Sequence, residues 1–310
     1  METKLRTNFA IIIPYYKIAF FEATLQSLEN QTNKRFKVYI GDDASPENPS
    51  DILKKYSDSF TFKYKRFAEN LGGISLVHQW ERCIDLIDDE EWLMILGDDD
   101  VLSENIVEEF YNNIVEIERR KSSVIRFSTQ IIDRYSKIIS VIYTHPTIEF
   151  RIDFINRKFS NETRSSLSEY IFKVDTLRAI GFVDFPLAWH SDDLAVFLFS
   201  LNRPIITVNQ AVVYVRVSNE SITGSGDNGQ NLQLKSLATQ EFILNYASKF
   251  KGLKVKTINS LDIKLQNAYF NSSSKKFLIK ILFRFIKSFK WYQFSRFTYL
   301  LIKYRLNARN

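Results

Sequence analysis

Carboxylates recur in short runs beside apolar stretches: Asp42-Asp43 follow Phe36 to Ile40, Asp98-Asp99-Asp100 follow Trp92 to Leu96, and Asp192-Asp193 precede Leu194 to Phe197. Consecutive aspartates repel one another and raise each other's pKa. A divalent cation removes that cost. Hard oxygen ligands suit Mg²⁺ or Mn²⁺, with one or two carboxylates from the protein and phosphate and water in the other positions. Asp98, Asp99 and Asp100 are therefore candidate metal ligands, or else a solvated turn capping the helix that begins near Ser103. A cap needs one aspartate, and here there are three. Asp42 and Asp43, followed by Ser45 and Pro46, also suit an ordinary turn. Asn70-Leu71-Gly72-Gly73 could admit a ligand phosphate or simply reverse the chain. Ser191 or Asp192 could cap a helix, or one acid of the pair could take a proton from a substrate hydroxyl. His78, His145 and His190 fit no metal-ligand spacing.

The elements around these residues alternate. Phe9 to Ile13, Phe36 to Ile40, Phe62 to Tyr64, Trp92 to Leu96 and Val124 to Phe127 read as strands, while Ala19 to Leu28, Ile74 to Ile87 and Ile106 to Ile117 read as helices. That order predicts an α/β fold with a mostly parallel sheet covered on both faces. Ligands of such sheets bind beyond the carboxyl ends of the strands, where Pro14-Tyr15-Tyr16 and the acidic runs fall. Farther on, Ile138 to Tyr143 reads as a strand, Leu167 to Ile180 and Ser191 to Leu201 as helices, and Ile205 to Val217 as a strand. Ser221 to Asn231, with Gly224, Gly226 and Gly229, predicts a mobile loop that could close over a ligand.

The ordered set across residues 8 to 223 resembles the family 2 glycosyltransferases of the GT-A fold: a strand ending Pro-x-Tyr, one ending Asp-Asp-x-Ser, Asn-x-Gly, an Asp-x-Asp-type cluster, Ile180-Gly181-Phe182 and an acidic pair. The resemblance implies inverting transfer of a sugar from a nucleoside-diphosphate sugar, with a UDP-sugar favoured, to a hydroxyl of a glycan or lipid-linked acceptor. It implies that Asp42 and Asp43 with the turn Pro14, Tyr15 and Tyr16 hold the nucleoside, and that Asn70 lies nearby in the donor site. It further implies that Asp98 and Asp99 meet the donor, that the triad holds Mn²⁺ or Mg²⁺, and that Asp193, beside Asp192, is the base. Gly97 stands where the family commonly has an aspartate, Lys17 replaces a frequent asparagine, and Tyr214-Val215-Arg216-Val217-Ser218 keeps the arginine but not the histidine of Tyr-Arg-x-His. Arg216 is then a candidate contact to the diphosphate; Trp189 and His190 are candidate acceptor contacts. A different class of protein also fits: a catalytically silent nucleotide-sugar-binding or scaffold subunit, against which the retained carboxylates argue. A nucleotidyltransferase would need a Gly-rich, basic phosphate loop after the first strand, which is missing.

Charge divides this 310-residue chain unevenly. Its net charge is +6, yet after Asp262 there is no acidic residue, while 263 to 310 carry 11 of the 42 basic ones. The first 262 residues thus hold 31 basic side chains against 36 acidic. Three parts are expected: a GT-A catalytic domain at 1–230, a helical extension at 231–274, and, after a break at Ser272-Ser273-Ser274, a basic amphipathic tail at 275–310. Lys276, Lys280, Arg284 and Lys287 share a helical stripe with Phe277, Ile281, Phe285 and Phe289 nearby; Trp291, Tyr292, Tyr299 and Tyr304 add interfacial rings. That pattern suits a helix lying on an anionic membrane surface, or one packed on the catalytic domain or on a second copy in a homo-oligomer. So much apolar surface suits nucleic acid poorly. The single Cys83 excludes an intrachain disulfide and fits a reducing compartment. With neither a signal-peptide pattern nor a membrane-spanning run in the sequence, the expected location is cytoplasmic, peripheral on the inner face of the cell membrane.

Overall fold

The computed structural model describes residues 8–219, 221, 224, 229–272, 277–287 and 290–307, with side chains described as far as residue 303. Of the expected mobile loop, residues 222, 223 and 225–228 lie outside the described residues. So do Ser273, Ser274, Lys276 and Phe289, and the side chain of Tyr304. The chain forms two units, Met1–Asp184 with Ser191–Gly226, and Phe185–His190 with Asp227–Asn310.

The first unit runs β1 (Phe9–Tyr15), α1 (Phe21–Glu29), β2 (Lys37–Asp42), α2 (Ser50–Lys55), β3 (Phe62–Arg66), α3 (Leu76–Ile84), β4 (Trp92–Ile95), β5 (Val101–Leu102), α4 (Ile106–Arg119), β6 (Val124–Ile132), β7 (Ile148–Glu149), α5 (Arg151–Phe159), β8 (Tyr170–Lys173), α6 (Val174–Ile180), α7 (Ser191–Phe199) and β9 (Ile205–Arg216). Its sheet has the order β3-β2-β1-β4-β8-β6-β9-β5, with β7 on β9. Strands β1 to β4 are parallel to one another. Because β1 lies between β2 and β4 and both its faces are covered, Phe9 to Ile13 are fully buried, which is why they read as an unbroken apolar run.

Two expectations change. Leu167 to Ile180 is not one helix: a 3-10 turn (Leu167–Glu169) leads into β8, and only then does α6 begin. Strand β8 is antiparallel to both β4 and β6. Tyr170, Ile171 and Phe172 are fully buried there, and aromatic and β-branched side chains suit a central strand better than a helix. Ile138 to Tyr143 is not a strand either. Only isolated bridges join Ile132 to Ile138 and Thr129 to Tyr143. Ile138, Ile139, Val141 and Ile142 are exposed, so no core fixes their register.

The second unit holds a 3-10 turn at Pro186–Ala188 and the helices α8 (Gly229–Tyr246), α9 (Val255–Ser272), α10 (Leu278–Lys287) and α11 (Trp291–Asn307). The basic tail is thus two helices, and part of its apolar stripe is already used within the protein. Phe277, Ile281, Phe285 and Phe297 are buried, with Phe297 packed on Tyr269, Phe270 and Phe285. Asp262, the last acid of the chain and fully buried, receives Arg284 at 3.2 Å and also pairs with Lys290. Two of the tail's cations are therefore turned inward. Ile279, Phe283, Trp291, Tyr292 and Tyr299 remain exposed. Among the described residues no helix is long and apolar enough to cross a membrane.

Candidate active site

The parallel half of the sheet ends in three polar turns. After β1, the backbone N–H groups of Tyr16 and Lys17 donate to one oxygen of Asp98, at 2.8 and 2.9 Å. Asp98 is thereby directed at the first turn. Burial nevertheless pushes it up to about 6, against those two donors. Tyr15 sits buried beneath, its hydroxyl donating to the Glu47 carbonyl at 2.9 Å, and Ser45 donates to the Tyr16 carbonyl. Pro14 and Tyr16 are half-buried.

Asp99 and Asp100 face a common volume. A Cβ at Gly97 would lie 3.0 Å from Asp99 Oδ1 and 3.1 Å from Asp100 Oδ2, so glycine is what lets both carboxylates fold back over the strand end. Burial raises the pKa of both, and for Asp99 the Asp100 and Asp98 charges raise it further. Asp100 is gripped from three sides. Ser168 donates to Oδ2, the Arg216 backbone N–H donates to Oδ1 at 2.9 Å, and Thr24 donates to the carbonyl at 2.8 Å. The Ser168 hydroxyl also accepts from Gly97 N–H at 3.1 Å. Arg216 is only 2% exposed; it donates to the Asp99 carbonyl at 2.9 Å and the Asp133 carbonyl at 2.7 Å and lies over Phe20. Its guanidinium braces the acidic loop itself. Among the described residues no three His, Cys, Asp or Glu side chains are arranged to enclose a metal ion. A cation that takes one or two carboxylates and completes its shell with phosphate oxygens and water requires no such enclosure, and the close approach of Asp99 and Asp100 meets that smaller demand.

After β2, Asp42 accepts from Ser45 N–H and Arg66, each at 2.8 Å, and from Tyr64. Asp43 accepts from the N–H groups of Leu71 and Gly72, at 2.8 and 2.9 Å, and from Arg82. Burial raises the pKa of Asp43, and these three donors oppose it. A Cβ at Gly72 would come within 2.5 Å of Asp43 Oδ2, so only glycine brings that amide so close. Asn70 makes a local turn, accepting from Gly73 N–H at 2.7 Å.

The acidic pair starts α7. Asp193 is 3% exposed and its Oδ1 lies 3.3 Å from Lys158 Nζ on α5, which packs against α7. Asp192 is half-buried. Burial and the Asp193 charge push Asp192 up to about 7, while Lys158 opposes that rise. Trp189 and His190 belong to the other unit. There Lys235 sits over the Trp189 ring, and His190 stacks on Phe242 and lies 3.2 Å from the Thr239 hydroxyl. Leu187, Ala188 and His190 hold φ of 57°, 51° and 73°, a left-handed run that costs free energy for residues with a Cβ.

Sequence reasoning overlooks Arg66, Arg82, Lys158 and Ser168. The first two carry a faint signal, basic residues shortly after a buried acidic pair. Ser168 and Lys158 carry none, because what they touch is decided by tertiary approach.

The family model for glycosyl transferase family 2 matches residues 10–166, half of the chain. No curated protein matches by sequence. Among solved structures, S. aureus TarS 1-349 in complex with UDP-GlcNAc superimposes with a TM-score of 0.59 at 15% identity, over 94% of this chain and 90% of that one. The longer S. aureus TarS structure gives 0.54 at 16%, with 93% of this chain spanning 54% of it. The mannosyltransferase PcManGT from Pyrobaculum calidifontis in complex with GDP-Man and Mn²⁺ gives 0.56 at 13%, over 87% and 74%. At such identities these likenesses establish the GT-A fold alone.

Proposed function

The chain belongs to glycosyl transferase family 2, and from that premise we propose that it is an inverting glycosyltransferase moving a sugar from a nucleoside-diphosphate sugar to a hydroxyl of a glycan or lipid-linked acceptor. The observation that carries this reading is the convergence of the first turn, the Asp43-held Leu71-Gly72 segment and the acidic triad beyond the carboxyl ends of β1, β2 and β4, the location at which open α/β sheets bind ligands. Nucleotide sugars in the two similar structures, UDP-GlcNAc and GDP-Man, fit the same reading. UDP is the favoured nucleotide.

In this reading Pro14, Tyr15, Tyr16, Asp42, Asp43 and Asn70 shape the nucleoside site, and Asp98 fixes the turn beside it. Asp99 and Asp100 hold a divalent cation, Mn²⁺ or Mg²⁺. When bound, it supplies positive charge to the donor diphosphate. Arg216 holds the Asp99 carbonyl and the Asp100 carboxylate in place and remains the proposed contact to the donor diphosphate. Asp193 takes the proton of the acceptor hydroxyl as the hydroxyl oxygen bonds to the anomeric carbon and the bond from that carbon to the diphosphate oxygen breaks, the nucleoside diphosphate leaving with the electron pair. Trp189 and His190 remain the proposed acceptor contacts.

A peripheral position at the inner face of the cell membrane is proposed for the helical unit. Ile279, Phe283, Trp291, Tyr292 and Tyr299 are among its exposed apolar side chains, set in an acid-free tail. Rings and basic residues together suit an anionic lipid surface. A homo-oligomer through α10 and α11 would cover the same rings. Co-sedimentation with phosphatidylglycerol vesicles, lost in F283S/W291S, supports the lipid surface; vesicle-independent self-association refutes it.

Turnover of UDP-, GDP-, CDP- and dTDP-sugars with Mn²⁺, with Asp193→Asn in parallel, tests the chemistry. The variant should lose ~10²–10⁴-fold in turnover and still bind the nucleoside diphosphate. A variant that transfers sugar at the parental rate would overturn the assignment of the base.

A further inference from the structure

Resting on the reading of Asp193 as the base, we propose that Lys158 is its positioning residue, an ammonium that keeps Asp193 ionised and leaves the proton of the acidic pair on Asp192. Lys158 Nζ lies 3.3 Å from Asp193 Oδ1 and 3.4 Å from the Ser165 carbonyl. The two side chains are 20% and 4% exposed, so solvent screens the pair weakly.

Every charged group facing this pair bears on the outcome. Asp192 adjoins it on α7. Glu169, fully buried, faces it from the 3-10 turn before β8, and Tyr170 faces it from β8 itself. Arg164 and Arg126 act on Glu169, and both favour its ionised form. Burial pulls Lys158 down, yet Asp193, Asp192 and Glu169 together push it above its ordinary value, so it stays charged. One ammonium thus stands among three carboxylates. Carboxylates that share a buried neighbourhood cannot all ionise, and the one nearest the cation releases its proton most readily. The ion pair of Lys158 is with Asp193, and Asp192 makes none among the described residues. Asp192 is also the acid whose proton is held until about 7. A general base must be ionised before it can take the acceptor's proton, and the ion pair meets that requirement while fixing one oxygen of the carboxylate.

The test is a carboxyl ¹³C titration of the full chain labelled at aspartate, with the Asp193 signal assigned by its loss in Asp193→Asn. In Lys158→Met the Asp193 midpoint should rise by ~1–3 pH units, the usual effect of withdrawing a neighbouring opposite charge. Lys158→Gln, which keeps a donor for the Ser165 carbonyl, should give the same rise if the Met variant does not fold. Lys158→Arg should keep the parental midpoint. A lysine that only supports the local fold predicts no such rise, and instead a midpoint that falls as the carboxyl becomes solvated. That result, or an unmoved midpoint, overturns the proposal. Turnover by Asp193→Asn decides the underlying reading separately, since losing that reading would leave the titration result intact.

Discussion

Replacing Asp192 by Asn should stabilise the protein in alkali and leave it unchanged in acid. Burial together with the Asp193 charge holds Asp192 at about 7, roughly 3 units above an ordinary aspartate. A carboxyl raised in this way keeps its proton in the folded chain over a window in which the unfolded chain has released it, so stability falls as pH rises. Below about pH 4 both states hold the proton and nothing is lost. From about pH 4 to about pH 7 the loss grows, and above that it levels off at ~4 kcal/mol, from ~1.4 kcal/mol per unit. Asp192 is partly reached by solvent, which brings the expected figure to ~2–4 kcal/mol. Asparagine keeps the shape and removes the charge, and the carboxylates that do not face Asp192 cancel between variant and parent. Urea denaturation of both proteins at about pH 4, 6 and 8 reads the difference, which should climb from near zero to ~2–4 kcal/mol. A difference independent of pH refutes the reasoning. So does a variant less stable than the parent at about pH 8, because the charged carboxylate would then be held by favourable contacts.

Other changes probe the grips on the site and on the tail. Ser168→Ala removes the hydroxyl on Asp100 and should weaken Mn²⁺ binding in the presence of a nucleoside diphosphate by ~10–100-fold, as loss of a ligand's supporting hydrogen bond does; electron paramagnetic resonance of free Mn²⁺ measures it, and an unchanged affinity removes Ser168 from the site. Gly72→Ala places a methyl 2.5 Å from Asp43 Oδ2, forcing the carboxylate off the Leu71 and Gly72 amides. At ~1.5–3 kcal/mol for a hydrogen bond to a charged group, the cost should reach ~2–4 kcal/mol in urea melts, and a parental midpoint would show that the turn absorbs the methyl. Asp262→Asn leaves Arg284 and Lys290 without their buried acid. Limited proteolysis should then cut within α10 or α11 at least ~100-fold faster, given ~3–5 kcal/mol for breaking such a pair; equal rates would mean that the ring cluster alone holds the tail.

Legibility in the sequence followed the range of the interaction. Asp42-Asp43 and Asp98 to Asp100 stood out because a strand end and the polar turn after it are adjacent in sequence, and the pattern of buried runs marked β1, β2 and β4 for the same reason. Strand β8 was hidden because its four residues pair with β4 and β6, partners whose proximity no local periodicity encodes. Arg216 was visible as a residue, whereas its role as a brace on the Asp99 carbonyl depends on β9 ending beside β4's loop. The tail's amphipathic stripe was equally plain. What covers its Phe277, Ile281 and Phe285 side was not, since that depends on the helical unit and on one buried acid, Asp262.

The acidic triad also ties the site to the integrity of the whole sheet. Asp98 is held by amides 82 and 81 residues earlier, and Asp100 by a hydroxyl 68 residues later and an amide 116 residues later. No single segment of chain can bring these groups together, so the donors reach the triad only after β1, the turn before β8 and β9 have closed around the loop that follows β4. The three charges are neighbours in sequence and repel one another in the open chain too, and burial in the completed fold adds to that cost. A cation held by Asp99 and Asp100 would relieve that added cost, and a ligand that binds the folded state alone stabilises it in proportion to the logarithm of its occupancy ratio. Fraying of β9's end, which would release Arg216 from Asp99 and Asp100, is therefore opposed most strongly when the donor site is filled. Stability and ligand occupancy would thus be coupled through the donors that distant parts of the chain supply to the three aspartates.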